Sequence, residues 1–329
     1  MKRTIFSALI GAMLMTGVGA QAKQWDATVS GQSSDKAKQA MAFLPNEVWI
    51  HAGDSIRWNV AADEIHTVSF LKIGQVRPPL FTLSGAFIGC PGVTPDGSSF
   101  DGSACVTSGT SALGQSYTVH FPAAGNFKLV CLVHVRMTGA VHVLNSWEPL
   151  PYDQEFYDRE AANQRDEILS EASELEGDGN SEAQRTSAHG VTAGISAITG
   201  NGGGSRMAAV WRFLGGTTVV RVGDTVEWTN LSPSAVHTIT FGTEPANLIP
   251  PSAGVTTDPD GARHAVISST ADSVNSGFLI SPNQETVGVG ETSLDTLRFR
   301  ATFLAPGTFN YICGIHDFLG MAGRVIVVP

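Results

Sequence analysis

Two stretches of this 329-residue chain can be laid over each other. Ala52-Gly-Asp-Ser-Ile-Arg-Trp-Asn59 matches Val222-Gly-Asp-Thr-Val-Glu-Trp-Thr229, and Ile65-His-Thr-Val-Ser-Phe70 matches Val236-His-Thr-Ile-Thr-Phe241. Further on, Phe121-Pro-Ala-Ala-Gly-Asn-Phe127 matches Phe303-Leu-Ala-Pro-Gly-Thr-Phe309, and Met137-Thr-Gly-Ala-Val141 matches Met321-Ala-Gly-Arg-Val325. The offset grows from 170 residues (Ala52 to Val222) to 184 (Met137 to Met321), which fits a duplicated domain and is too long for a solenoid repeat. Such a chain should fold as two similar units, and its length allows each its own core.

Within each copy, Ile56 and Trp58, or Val226 and Trp228, alternate with polar neighbours after a Gly-Asp turn, the two-residue period of a strand. The last strands are expected at Ala140 to Leu144 and Arg324 to Val328. Thirty-six glycines and sixteen prolines supply many turns. The fold class expected is all-β, two antiparallel Greek-key sandwiches. Each copy also carries a long irregular insertion, about Gly74 to Gly114 and Gly242 to Thr292.

Between the copies, Tyr152 to Glu176 holds nine acidic and two basic residues with no Gly or Pro, so most of the chain's net charge of −10 sits there. That reads as one helix, stopped by Gly177-Asp-Gly-Asn180. Its apolar positions Phe156, Tyr157, Ala161, Ile168, Leu169, Ala172 and Leu175 are compatible with one face packing on a domain, and a solvated acidic spacer is the preferred reading. Asn201-Gly-Gly-Gly-Ser205 reads as a flexible loop. The acidic balance argues against nucleic acid as a partner. The organisation expected is an export signal at 1–22, a first domain at 23–147, an acidic helical linker at 148–189 and a second domain at 190–329.

The signal reading rests on Lys2 and Arg3, an apolar run from Ile5 to about Val18, and Ala20-Gln21-Ala22 as a small-x-small cleavage pattern. It implies a periplasmic or secreted protein in an oxidising compartment, with no transmembrane segment after cleavage. Cys90 and Cys105 flank a turn-rich loop that a disulfide would staple, the alternative being two free or metal-binding thiols.

The other two cysteines carry chemistry. Phe309, Tyr311 and Cys313 share one face of a strand, and Cys313, His316 and Met321 follow at Cys-x2-His-x4-Met. Phe127, Leu129 and Cys131 repeat that face, and Cys131, His134 and Met137 follow at Cys-x2-His-x2-Met. A thiolate, an imidazole and a thioether on one short loop are soft ligands, and an upstream histidine (His66, His237) would complete a trigonal copper site in each copy. The thiolate's pKa must fall for it to bind, and a metal ion itself lowers it. A site held between the geometries preferred by the two copper oxidation states rearranges little on electron transfer. The remaining histidines, His51, His120, His142, His189 and His264, are weak signals, and His120 and His142 alternate with apolar neighbours as solvated surface residues would.

Both copies resemble cupredoxins, the small blue copper proteins such as plastocyanin, pseudoazurin and amicyanin. The loop Cys313-x2-His316-x4-Met321-x-Gly323 is similar to that of plastocyanin and pseudoazurin, and the shorter Cys131-x2-His134-x2-Met137-x-Gly139 to that of amicyanin. The resemblance implies two type 1 copper ions, one held by His66, Cys131, His134 and Met137 and one by His237, Cys313, His316 and Met321. Many members have asparagine or serine after the first histidine, tying the two ligand loops together; here Thr67 and Thr238 stand there. The resemblance also implies that His134, near Leu132 and Val133, and His316, near Ile315, Phe318 and Leu319, show exposed edges to transiently docked redox proteins, such as cytochromes or oxidoreductases.

The function expected is therefore an exported carrier of single electrons with two copper sites and no enzyme activity. A two-domain copper oxidase or nitrite reductase is the enzymatic alternative. It would need a second kind of copper centre, and the chain has no His-x-His pair and no histidine beside either motif cysteine. Copper storage or delivery is the third reading, disfavoured by a buried thiolate and only seven methionines.

Overall fold

The computed structural model describes residues 22–78, 90, 92–134, 136–233, 235–280 and 296–329. The expected export segment lies outside them but for its last residue. The first half forms β1 (Gln24–Gln32), β2 (Lys38–Leu44), β3 (Glu47–His51), β4 (Ser55–Val60), β5 (Ser69–Phe70), β6 (Ser98–Ser99), β7 (Val106–Thr107), β8 (Ser116–His120), β9 (Gly125–Val130) and β10 (Thr138–Leu144). One helix follows, α1 (Gln154–Thr186). The second half forms β11 (Gly190–Asn201), β12 (Gly204–Leu214), β13 (Thr218–Arg221), β14 (Thr225–Leu231), β15 (Thr240–Phe241), β16 (Thr256–Thr257), β17 (Arg263–Ile267), β18 (Val274–Asn275), β19 (Arg298–Phe303), β20 (Gly307–Ile312) and β21 (Ala322–Val328). The long insertions are thus only partly irregular, since their described residues supply β6, β7 and β16 to β18.

Alternation decides which face of each strand is buried. Ile56, Trp58 and Val60 of β4, and Phe299, Ala301 and Phe303 of β19, point inward while their neighbours stay half-exposed. Trp58 packs against Phe70 and Phe121 in the first core, and Trp228 against Phe241, Phe299 and Tyr311 in the second. Each core lies between two sheets. One wall is a five-stranded sheet, β3-β10-β9-β5-β7 in the first half and β13-β21-β20-β15-β18 in the second, the same order of equivalent strands. The other wall is shared: a single eleven-stranded sheet runs β16-β17-β19-β14-β11-β12-β2-β1-β4-β8-β6.

The two sandwiches are therefore fused edge to edge, where β2 pairs antiparallel with β12. With the 170-residue offset, Gln39 faces Ala209, its own equivalent in the second half, so the seam has an approximate two-fold axis at that pair. Backbone pairing continues past it, Trp211 N–H donating to Ala37 O at 2.8 Å. Joining the edges leaves neither β2 nor β12 with a row of unpaired peptide groups.

The helix is not a free spacer. Ile168 and Ala172 are buried against Ala40, Ala42 and Leu44 of β2, Ile195 of β11, and Ala208, Val210 and Leu214 of β12, so α1 lies across the seam. Tyr157 anchors its first turns: its hydroxyl donates to Trp49 O at 2.9 Å and accepts Trp49 N–H at 2.8 Å. Asp153 caps the start by accepting Phe156 N–H, and Arg206 of β12 binds Glu167 and Glu171. Nor do Gly177 and Gly179 stop the helix, which runs on to Thr186. Gly179 is where it touches β11 and β12: a Cβ there would come within 2.5 Å of Leu214 Cδ1, and Thr192 Oγ1 donates to Gly179 O at 2.8 Å. The close approach needs glycine more than the helix needs a stop.

Asn201 to Ser205 forms the tight β11–β12 turn rather than a flexible loop, and it grips the first half. Ser205 N–H donates to Thr138 Oγ1 at 2.9 Å, and a Cβ on Gly204 would collide with Thr138 O. Near the β1–β2 turn, Arg212 of β12 donates to Asp35 O at 2.5 Å and to Leu319 O of its own half at 2.8 Å. Arg212 thus ties the first half's hairpin to the loop that follows Cys313. The Cys90–Cys105 disulfide is formed.

Candidate metal centres

In the first half, β9 ends at Val130 and delivers Cys131 into the core, followed by a tight turn in which Cys131 N–H donates to Met137 O (3.0 Å) and Met137 N–H to His134 O (2.9 Å). His66 is held from the other side by a reciprocal backbone bridge with Ser111. The result brings His66, Cys131 and His134 together: Cys131 Sγ lies 3.9 Å from His66 Nδ1 and 3.8 Å from His134 Nδ1. The second half repeats the arrangement. Cys313 follows β20, His237 bridges to Leu279, and Cys313 Sγ lies 3.7 Å from His237 Nδ1 and 3.5 Å from His316 Nδ1. Its two extra loop residues are taken up by a single 3₁₀ turn, Asp317–Leu319. Met137 and Met321 are fully buried in the same loops.

The donors fit a trigonal metal ion. With bonds of about 2.0 Å to nitrogen and about 2.3 Å to sulfur, a sulfur and a nitrogen in a trigonal set stand roughly 3.7 Å apart and two nitrogens about 3.5 Å. The sulfur–nitrogen separations found are 3.5 to 3.9 Å, and His237 Nδ1 lies 3.1 Å from His316 Nδ1. The sulfurs are prepared as anions. Burial pushes the Cys131 thiol up, but the His134 and His66 imidazoles pull it well below its ordinary value. Cys313 is likewise lowered by His237 against the effect of burial. Backbone N–H groups of Thr67 and His134 point at Cys131 Sγ, and that of Thr238 at Cys313 Sγ, each at 3.4 Å. The threonines after the first histidines do tie the ligand loops together. Thr67 Oγ1 accepts Leu132 N–H at 2.7 Å, and Thr238 Oγ1 accepts Gly314 N–H at 2.8 Å.

One expectation fails. The ring edges of His134 and His316 are not exposed; each residue is 3% accessible. The reason is the seam, which turns both ligand loops toward each other. Between them lies Glu64, itself 3% accessible, with Oε1 3.5 Å from His134 Nε2 and Oε2 3.7 Å from His316 Nε2. Burial would raise its pKa, yet the hydrogen bond from His134 and the charges of His316, His134 and His66 hold it at about 2. Burial lowers the pKa of His134 too, but the bonds to Cys131 and Glu64 carry it up to about 9. His316 and His237 stay below the ordinary histidine value, chiefly through burial.

Residues 30–144 match the family model of copper-binding proteins of the plastocyanin/azurin family. This segment is a cupredoxin domain. The strand order and donor triad of this segment recur in the second half. Among solved structures, amicyanin from Paracoccus versutus is similar at 22% identity over 39% of this chain and 86% of that chain, with a TM-score of 0.24. The blue copper oxidase from Nitrosomonas europaea is similar at 12% identity over 93% and 86%, and the multicopper oxidase mgLAC at 13% over 94% and 88%, each with a TM-score of 0.22. No curated protein matches this chain.

Among the described residues no third group of metal donors gathers beside the cupredoxin sites. His51 Nε2 bonds to Glu148 O, His142 to Glu47 and Asn126 while stacked on Trp49, His189 pairs with Asp224, and His264 bonds to Asp258 and Thr302. The solvated surface role expected of His142 is thus a half-buried, fully paired one. Sequence reasoning missed Glu64, Trp211 and Gly194. Trp211 stacks on the His316 ring at 5.1 Å and 14° and meets His237 edge-on. Gly194 sits at a bulge with φ 75°, its missing Cβ leaving the space that His237 fills.

Proposed function

We propose that the chain carries single electrons, using one copper ion at each of the two clusters. The observation that supports this most is that both donor triads are already gathered and buried in the protein itself, at separations suited to trigonal coordination. Bound copper would supply a one-electron couple. The protein's part is to keep the geometry fixed: strands β9 and β20 set the cysteines, Thr67 and Thr238 lock the histidine loops to them, and Met137 and Met321, buried in the same loops, would offer each ion a further thioether donor. Fixed donors lower the reorganisation that electron transfer would otherwise require. Redox partners dock transiently in this reading. With both histidine edges covered, the entry point is Phe318, which is 51% exposed two residues after His316. The N-terminal sequence supports export to the periplasm or exterior.

The test is an anaerobic reductive titration of the copper-loaded protein. A carrier takes up two electrons per chain, loses its visible absorption, and returns both to an external oxidant without consuming oxygen or nitrite. Catalytic loss of oxygen or nitrite would favour the oxidase or reductase reading, and rapid loss of copper to a weak chelator would favour delivery.

A further inference from the structure

Glu64 has no equivalent in the other half. Aligned through Ile65-His66 and Val236-His237, its position in the second copy holds Ala235. A buried carboxylate is costly unless it is paired, and the duplication supplies only one here. Its two oxygens are divided between the halves, Oε1 toward His134 Nε2 and Oε2 toward His316 Nε2. Apart from His316, Oε2 has no polar partner among the described residues. Each of those imidazoles turns its other nitrogen, Nδ1, toward its own cysteine sulfur.

We propose that Glu64 is a shared positioning residue of both metal centres, one carboxylate orienting the rings of His134 and His316 together and placing one negative charge beside both metal ions. A carboxylate behind a ligating imidazole fixes the ring and its tautomer and makes the ligating nitrogen a better donor. In this chain a single side chain does so for two sites at once. The reach requires glutamate: aspartate is shorter by one methylene, about 1.5 Å, and cannot hold both rings from the same backbone position. Glutamine keeps the length but loses the charge, and its amide N–H₂ would face a ring N–H, donor against donor.

This inference rests on the two-site copper reading, and the experiment separates the two. Cys131→Ser and Cys313→Ser chains each retain one cluster, so the sites can be titrated singly with Cu(II) against a competing chelator. Near-UV circular dichroism of the metal-free proteins checks folding. Adding Glu64→Gln should weaken Cu(II) binding about 10- to 100-fold in both single-site chains and raise both reduction potentials, because the lost charge favoured the more positive ion. Glu64→Asp should leave at most one site at its parent affinity. Effects confined to the first site in both variants, or Glu64→Asp chains equal to their parents at both sites, would overturn the proposal. If the Gln chains do not fold, the charge-retaining Asp chains decide the question by the same comparison. Failure of copper to bind either parent chain would instead sink the carrier reading.

Discussion

At Gly194 the backbone takes φ 75°, and the His237 imidazole occupies the space a side chain would need. The equivalent bulge residue in the first half is Ser30, also left-handed at φ 63°, whose hydroxyl donates to Ala40 O. One site therefore tolerates a Cβ at the bulge and the other does not. Gly194→Ala should cost about 1–3 kcal/mol in urea unfolding, from the strained φ and the displaced ring. It should also weaken metal binding at the second cluster while the first keeps its affinity; equal loss at both would show the effect to be general. The six gathered donors were legible because strand period and Cys-x2-His spacing are local properties. Glu64 was not, because one of its two partners, His316, lies in the other half of the chain, and no local pattern marks a charged residue that will meet it. The buried edges of His134 and His316 escaped the sequence for the same reason.

The helix shows how little signal a small-residue contact leaves. Its inner face is made by Tyr157, Ile168, Ala172, Gly179 and Ala183, among acidic neighbours. Two of these are alanine and one is glycine, so the apolar stripe is faint and the glycines read as a stop. Two substitutions separate the readings. At Gly177 a Cβ meets nothing within 4 Å, so Gly177→Ala should stabilise by up to about 1 kcal/mol through helix propensity alone. At Gly179 the clash with Leu214 should outweigh that gain, and Gly179→Ala should destabilise by about 1–3 kcal/mol. Thermal or urea melts decide it, and two stabilising substitutions would mean that the helix does not pack where it is described.

Across the whole molecule, the duplicated β-sandwiches followed from the sequence, but their strand order and the seam did not. The purely antiparallel pairing expected is mixed, since β1 pairs parallel with β4 and β11 with β14. Edge pairing of β2 with β12 depends on which backbone groups are left unpaired after each half folds, and that has no composition signature. Because the shared sheet and α1 both cross the seam, the metal-free protein should unfold in one transition, with tryptophan fluorescence and far-UV circular dichroism coincident. Two separated transitions would mean independent halves. Acid should weaken that fold. Glu64 is held at about 2 in the folded protein against an ordinary 4.5, so its contribution is complete above pH 4.5 and is lost as pH falls toward 2. The loss should be on the order of 3 kcal/mol, and a Glu64→Gln protein should show a flatter stability profile over that interval.

The central claim is that two equivalent thiolate–imidazole clusters each hold copper in a trigonal, redox-ready form. Metal counting combined with paramagnetic resonance and visible spectroscopy on one oxidised, copper-loaded sample tests it directly. The account predicts two coppers per chain, an intense blue or green thiolate charge-transfer band, and narrow copper hyperfine splitting accounting for both ions. A protein that holds two coppers yet stays colourless, or shows the wide splitting of ordinary tetragonal copper, would contradict it.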